Sequence, residues 1–299
     1  MSVNTTKDVG QSSRHPKPVQ VSQGSSASSR AVVVQPSEHT QRAAPFAIEI
    51  FAGSAGLSSA LVQVGIAAIP IDHKDNRFTP KVPPKLLDLS KTSGQTELWK
   101  LLSLPNLCFV HLSPPCGTAS RAREKPLPAE LKARGWPEPQ PLRSEKHPLG
   151  LPNLASISPG NVARVAAANK LFVLSAEICT YLCHRSIPWT LENPRNSLFW
   201  WVPQVESLLS HDRVEDVFFQ HCMFGSGRDK WTRLRSFPAD AFSSLAVTCD
   251  GSHTHKQWGA ASRISRSVIC FLNFATTHSK KKLVFIQNLG FVYTKPFLE

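Results

Sequence analysis

Leu107-Cys108-Phe109-Val110-His111-Leu112-Ser113-Pro114-Pro115-Cys116-Gly117-Thr118-Ala119-Ser120 decides how the chain reads. Its first six residues form an apolar run of strand length, and the two prolines end it, because proline cannot donate to a ladder and restricts the residue before it. A cysteine is thereby placed just past the carboxyl end of a buried strand. In an open α/β sheet, ligands and chemistry collect there, since the strand ends open onto a crevice flanked by helices. Taken alone, the stretch also reads as a prolyl turn with an ordinary half-buried thiol. Its neighbours separate the two readings.

Upstream, Phe46-Ala47-Ile48-Glu49-Ile50-Phe51 is a short strand that runs into Ala52-Gly53-Ser54-Ala55-Gly56. A helix follows with Leu57, Ala60, Leu61 and Val64 on one face and stops at Gly65. Strand, glycine turn and helix form a cradle: glycines let backbone approach a ligand, and a helix start offers unpaired N–H groups. A second strand, Ile66 to Ile71, ends in Asp72, about twenty residues after the glycines. That spacing suits a carboxylate accepting hydrogen bonds from ribose hydroxyls. The pattern then repeats: Leu86-Leu87 leads to Asp88-Leu89, a helix through Leu98, Leu101 and Leu102 follows, and the strand into Cys116 comes next. Such alternation predicts an α/β fold with a Rossmann-like, doubly wound, mostly parallel sheet.

Residues 121–158 are proline-rich and carry Arg121, Arg123, Lys132, Arg134 and Arg143. A loop this long inside a compact domain is functional or disordered, and directly after Cys116 it is placed to close over a substrate. Ser158-Pro159 starts a helix on which Val162, Val165, Phe172, Cys179 and Cys183 share a stripe, so those two cysteines read as core thiols. Pro188-Trp189-Thr190-Leu191 is a short strand that delivers Glu192-Asn193-Pro194 to the sheet edge holding Cys116. After a strand at Val214 to Phe219, the segment Gly225 to Arg235 combines glycines, cations and an indole suited to phosphate and base contact. Cys222, Cys249, His253 and His255 include enough zinc-type ligands for a tetrahedral site, but their spacing matches no standard finger and no metal is assigned on it.

Composition bounds the rest. With 299 residues, 41% of them hydrophobic, the chain can bury a substantial core. Residues 1–44 read as a disordered arm, residues 45–278 as one domain, and residues 279–299 as a tail. Seven cysteines without paired spacing argue against a disulfide framework and for a reducing, intracellular compartment. A formal net charge of +13 calls for an acidic partner such as nucleic acid. No run approaches the roughly 20 apolar residues of a spanning helix, so a soluble protein without a membrane partner is expected.

Taken together and in order, the Phe51 to Gly56 turn, Asp72, Asp88, Pro114-Pro115-Cys116, Glu192-Asn193-Pro194 and the Arg228 to Arg235 segment resemble the cytosine-C5 DNA methyltransferases. The resemblance covers about residues 46–275. It implies the S-adenosylmethionine-dependent methyltransferase fold, with S-adenosylmethionine held along Phe51, Gly53, Gly56 and Pro115, Asp72 on the ribose and Asp88 near the adenine. It also implies Cys116 as nucleophile toward carbon 6 of cytosine, Glu192 on the ring nitrogen N3, and Arg233 or Arg228 on the ring carbonyl or a phosphate. Cysteine suits the task because its thiolate is accessible near neutral pH and strongly nucleophilic. The base must be flipped or single stranded to be reached.

The sequence also departs from that family. It has Pro-Cys-Gly and Glu-Asn-Pro where the family has Pro-Cys-Gln and Glu-Asn-Val, and its basic segment lacks the glutamine-arginine-x-arginine order. Between that segment and an expected closing helix at Ser262 to Ala275 there is no room for a target-recognition domain. This pattern resembles a divergent branch of the kind found in retroelements and phages. DNA ranks ahead of RNA as substrate, although no residue distinguishes them. Two other readings compete: a degenerate nucleic-acid-binding module that keeps the fold, and an adenine-N6 or other amino methyltransferase, which the cysteine in place of a stacking aromatic disfavours.

Overall fold

The computed structural model describes residues 44–256. The arm assigned to residues 1–44 falls almost wholly outside them, as do the closing helix at Ser262 to Ala275 and the tail. Strand β1 (Phe46–Ile50) is buried along its whole length. It is followed by α1 (Gly56–Gln63), β2 (Ala67–Asp72), β3 (Lys85–Leu86), α2 (Thr92–Leu102) and β4 (Leu107–Leu112). Two short helices, α3 (Ala129–Ala133) and α4 (Leu154–Ile157), interrupt the long loop before α5 (Val162–His184). Then come β5 (Trp189–Pro194), α6 (Pro203–Glu206), β6 (Glu215–Gln220) and β7 (Trp231–Phe237).

The seven strands form one sheet in the order β3-β2-β1-β4-β5-β7-β6. β1 through β5 are parallel to their neighbours, and only β7 runs against β5 and β6. The fold class is therefore the one expected: α/β, Rossmann-like and mostly parallel. One face packs against α2, α5 and the 3-10 turn Leu198–Trp201, with Phe172, Phe199, Trp189 and Leu112 at its centre. The other packs against α1, Phe224, Phe242 and Leu245. By length and composition, Pro159–His184 would suffice to cross a membrane, but half of it is buried in the molecule. It gives Phe172, Leu174, Ile178, Cys179 and Leu182 to the core, as a central helix of a layered α/β domain does. Cys179 and Cys183 are core thiols, and among the described residues every cysteine is free.

The strand order reverses between β1 and β4. The chain works outward from β1 through β2 to β3, then returns through α2 to lay β4 on β1's other side. Loops leaving β1 and β4 therefore diverge, and a crevice opens at their carboxyl ends. The edge is stitched by backbone: the Ala52 N–H reaches the Ile71 carbonyl at 3.0 Å and the Ser113 N–H the Ile50 carbonyl at 3.2 Å. α2 approaches so closely that a Cβ on Gly94 would lie 2.3 Å from the Asp88 carbonyl oxygen, so only glycine lets the Asp88 turn lie against this helix.

Candidate active site at the sheet's switch point

The turn after β1 holds unusual backbone. Gly53 has φ +58°, and Phe51 and Ala55 adopt φ of +61° and +52°, a region that costs a non-glycine residue roughly 1–3 kcal/mol. Neighbouring strands hold this turn in place. The Asp72 carboxylate accepts the Gly53 N–H at 2.5 Å and the His73 N–H at 2.6 Å, and the Asn76 side-chain amide donates to the Gly53 carbonyl. Burial pushes the Asp72 carboxyl up, while those two N–H groups oppose the shift. Asp72 thus first shapes the cradle, and only its remaining lone pairs can meet a ligand. Asp88, at the end of the β3 segment, accepts from the Ser90 hydroxyl at 2.6 Å and faces Lys91 at 3.4 Å. The Ser90 hydroxyl leads in holding it below the usual carboxylate range.

These residues surround a cavity of about 460 Å³ whose wall includes Phe51, Gly53, Asp72, Asp88, Pro115 and Cys116. Five of the six cofactor residues expected from the sequence are there. The sixth, Gly56, is buried as the first residue of α1 and starts the helix behind the turn. His73, Asn76, Phe78 and Arg77, from the loop after β2, also line the cavity, and that loop carried no signal in the sequence beyond its polarity.

Cys116 is 1% exposed at the cavity wall. Glu192, 2% exposed near the end of β5, is joined to the cysteine turn through Ser113, whose hydroxyl donates to its Oε2 at 2.9 Å. The adjacent Asn193 amide donates to the Pro114 carbonyl at 3.0 Å. The proline-cysteine turn and the Glu-Asn strand end thus form one hydrogen-bonded unit.

The cation beside Glu192 is Lys230, 3.2 Å from Oε1 and itself 9% exposed. Arg233 is elsewhere. In the β5–β7 register Glu192 is opposite Leu234, and Asn193 opposite Arg233. Side chains alternate along a strand, so Lys230, Thr232 and Leu234 share a parity with Glu192 across the ladder and Arg233 has the other. Arg233 pairs with Asp216 and stacks on Trp200 with 4.6 Å to the ring centre; Arg235, fully buried, bonds the same carboxylate at 2.9 Å. Against the burial that would raise it, Arg235 and Arg233 hold Asp216 below the usual carboxylate range. Much of the basic charge read as a phosphate-binding segment is thus used inside the sheet. Arg228, the other candidate, is in the loop before β7.

The 121–158 loop is not a free flap. Its Arg143 is 1% exposed and donates to the Pro148 carbonyl, the Asn169 side chain and the Thr118 hydroxyl at 2.6, 2.6 and 3.0 Å, above the Phe172 ring. Burial pulls this guanidinium down to about 10. The loop is thereby pinned to α5 and to the cysteine turn. Its first half walls a second cavity of about 630 Å³, which shares Arg77, Gly117 and Arg164 with the first and adds Arg123 and Lys125. A Cβ at Gly117 would meet nothing within 4 Å, so no steric demand explains the glycine there.

No family model and no curated protein matches the chain. Similar solved structures are the methyltransferase EhMeth of Entamoeba histolytica, at 15% identity and a TM-score of 0.37, and the Dnmt2 methyltransferase of S. pombe, at 12% and 0.36. Each alignment covers 72% of this chain, which spans 57% and 61% of those two proteins respectively. Likeness of that degree carries no weight for activity, which rests on the site.

Proposed function

We propose that the chain is a methyltransferase that modifies carbon 5 of cytosine in nucleic acid. The observation that carries this reading is the convergence, at the switch point, of the Cys116 turn and the Ser113–Glu192–Lys230 chain beside a cavity lined by two carboxylates and an aromatic. The cavity fits an adenosyl ligand in size, about 460 Å³ against the roughly 300–1,000 Å³ of small-molecule sites, and in donor and aromatic character. Phe51, Gly53 and Pro115 would hold S-adenosylmethionine, with Asp72 and Asp88 accepting from its hydroxyl and amino groups. That cofactor supplies an electrophilic methyl group when bound.

The chain's own residues account for the rest. Cys116 Sγ, as thiolate, bonds to carbon 6 of the ring, and the displaced π pair makes carbon 5 nucleophilic. Glu192 meets the ring at N3, where a proton balances the charge that develops, and the Lys230 ammonium, 3.2 Å from Glu192 Oε1, acts on that charge through the carboxyl. Once carbon 5 carries the methyl group, its proton passes to water, the C–H pair re-forms the ring double bond, the thiolate leaves carbon 6, and N3 returns its proton to Glu192. The second cavity, with Arg77, Arg123, Lys125 and Arg164, receives the flanking backbone. DNA is the substrate we favour, on the family resemblance alone.

One observation favours a second reading, a nucleic-acid-binding module without catalysis: Glu192 is 2% exposed, and both its oxygens already accept hydrogen bonds. Trapping separates the two. The full chain with S-adenosylmethionine should form a denaturant-stable adduct with a 5-fluorocytosine oligonucleotide, tested as DNA and as RNA, and Cys116→Ser should abolish it. Cofactor binding by calorimetry without any adduct would overturn the methyltransferase reading; oligonucleotide binding that persisted would establish the second.

A further inference from the structure

A second chemical cluster lies away from the cavity, where four residues from two separate segments meet. Cys222 is buried in the 3-10 turn His221–Phe224 that follows β6. Cys249, His253 and His255 come from the last described stretch, beyond the turn Ser243–Leu245. Cys249 Sγ is 3.7 Å from His253 Nε2 and 3.5 Å from His255 Nε2, and the two Nε2 atoms are 3.1 Å apart. The ligand atoms of all four residues lie within 4.8 Å of one another.

A tetrahedron with zinc–sulfur bonds of about 2.3 Å and zinc–nitrogen bonds of about 2.05 Å has vertices about 3.6 Å apart for sulfur to nitrogen and about 3.3 Å for nitrogen to nitrogen. The separations from Cys249 and between the two histidines match those edges. We propose that Cys222, Cys249, His253 and His255 form a structural zinc site.

The donor chemistry selects the ion. Two thiolates and two imidazoles are the soft and borderline ligands of zinc, whereas calcium and magnesium take oxygen. Four protein ligands fill a tetrahedron and leave no position for substrate, so the site is structural. Binding replaces two thiol protons, released to solvent, with two sulfur–zinc bonds, and both histidines bind neutral through Nε2; the assembled site carries no net charge. Outer contacts support the ligands. The Gly251 N–H points at Cys249 Sγ at 3.4 Å, from a turn that the glycine's φ of +76° permits, and the Cys249 N–H donates to the Gln220 side chain at 2.7 Å.

The position suggests what the ion would hold. Residues 247–256 run from the end of β6, where the Gln220 N–H reaches the Val247 carbonyl at 3.1 Å, to the 225–230 loop, where the Lys256 N–H reaches the Gly227 carbonyl at 2.7 Å. That loop delivers Lys230, whose carbonyl accepts the His221 N–H at 3.0 Å, one residue before Cys222. A cation bonded to both segments would fix the loop that carries Lys230 to Glu192.

The test is metal binding by the reduced full chain, with a readout independent of any enzymatic activity. One cobalt(II) per chain should bind with the strong visible absorption of a four-coordinate thiolate site, and one equivalent of zinc should displace it. Cys249→Ser and His253→Ala should each weaken zinc retention against a chelator by roughly 100-fold or more and change the cobalt spectrum. His253 is exposed, so its variant carries the test if Cys249→Ser does not fold. Failure of the folded wild-type chain to retain cobalt or zinc would overturn the proposal. So would a cobalt spectrum unchanged in His253→Ala.

Discussion

The most informative single residue is Lys230, because it, and not Arg233, is the cation beside Glu192. Within β7 only the parity of Leu234 faces Glu192, which excludes Arg233, and Lys230 reaches the carboxylate from one residue before the strand. Lys230→Met should therefore lower the methyl-transfer rate by roughly 100-fold or more, the scale of losing one charged or hydrogen-bonding partner of a developing charge. Arg233→Met should leave single-turnover chemistry within about threefold and instead lower unfolding stability, since Asp216 and Trp200 lose a partner. The two variants measured side by side, by single-turnover kinetics and by urea unfolding, check the assignment; a rate loss confined to Arg233→Met would reverse it. Much of the pairing is legible in the sequence, for Cys116 and Glu192 each follow or close a strand that reads clearly. Lys230 is not, because its parity depends on a register that only the partner strand fixes. Arg143 is illegible for a different reason: nothing in a proline-rich loop distinguishes a buried arginine, when most arginines are exposed.

At the scale of elements, the β1–turn–α1 unit positions the cradle and stores an electrostatic cost. Glu49 is on β1, 4% exposed, and its Oε2 accepts the Ser58 N–H at 2.6 Å in the first turn of α1. Burial pushes its carboxyl up to about 7 from 4.5, against the hydrogen bonds donated from α1. A carboxyl whose value is raised on folding favours the native state while protonated; its full contribution is present below the unfolded value of 4.5 and is lost as pH rises through about 7. At about 1.4 kcal/mol per pH unit, the part of that loss between pH 5 and pH 8 is on the order of 2–3 kcal/mol. Urea unfolding at pH 5 and pH 8 should show wild type losing stability across this interval and Glu49→Gln, which mimics the protonated acid, losing less by that amount. Parallel pH profiles for the two proteins would show that Glu49 stays charged at both values. The sequence identified this strand and helix from their apolar periodicity, yet a Glu inside the strand reads as an outward polar residue until α1 is seen to cover it.

At the scale of the whole molecule, the net charge of +13 becomes useful only once its distribution is known. Arg233, Arg235 and Arg143 are occupied within the fold, whereas Arg77, Arg123, Lys125 and Arg164 line the second cavity, which shares Arg77, Gly117 and Arg164 with the cofactor-sized one. Arg123 is held below its usual value first by burial and then by the nearby Arg164, as expected where cations crowd together. Such crowding is relieved by phosphate, and a strand laid along this cavity would bring one base to the Cys116 wall. Each phosphate neutralised should contribute about 0.7 to the slope of log affinity against log salt for a single strand and about 0.9 for a duplex. The Lys125→Gln, Arg164→Gln double variant should therefore flatten the slope by about 1.4 on single strands and about 1.8 on duplex, and weaken binding equally for every sequence tried, because phosphate contacts carry no base information. Fluorescence anisotropy of labelled oligonucleotides over a potassium chloride series measures both quantities. An unchanged slope would move the nucleic-acid path off this cavity, and a loss that varied with sequence would mean that these side chains read bases.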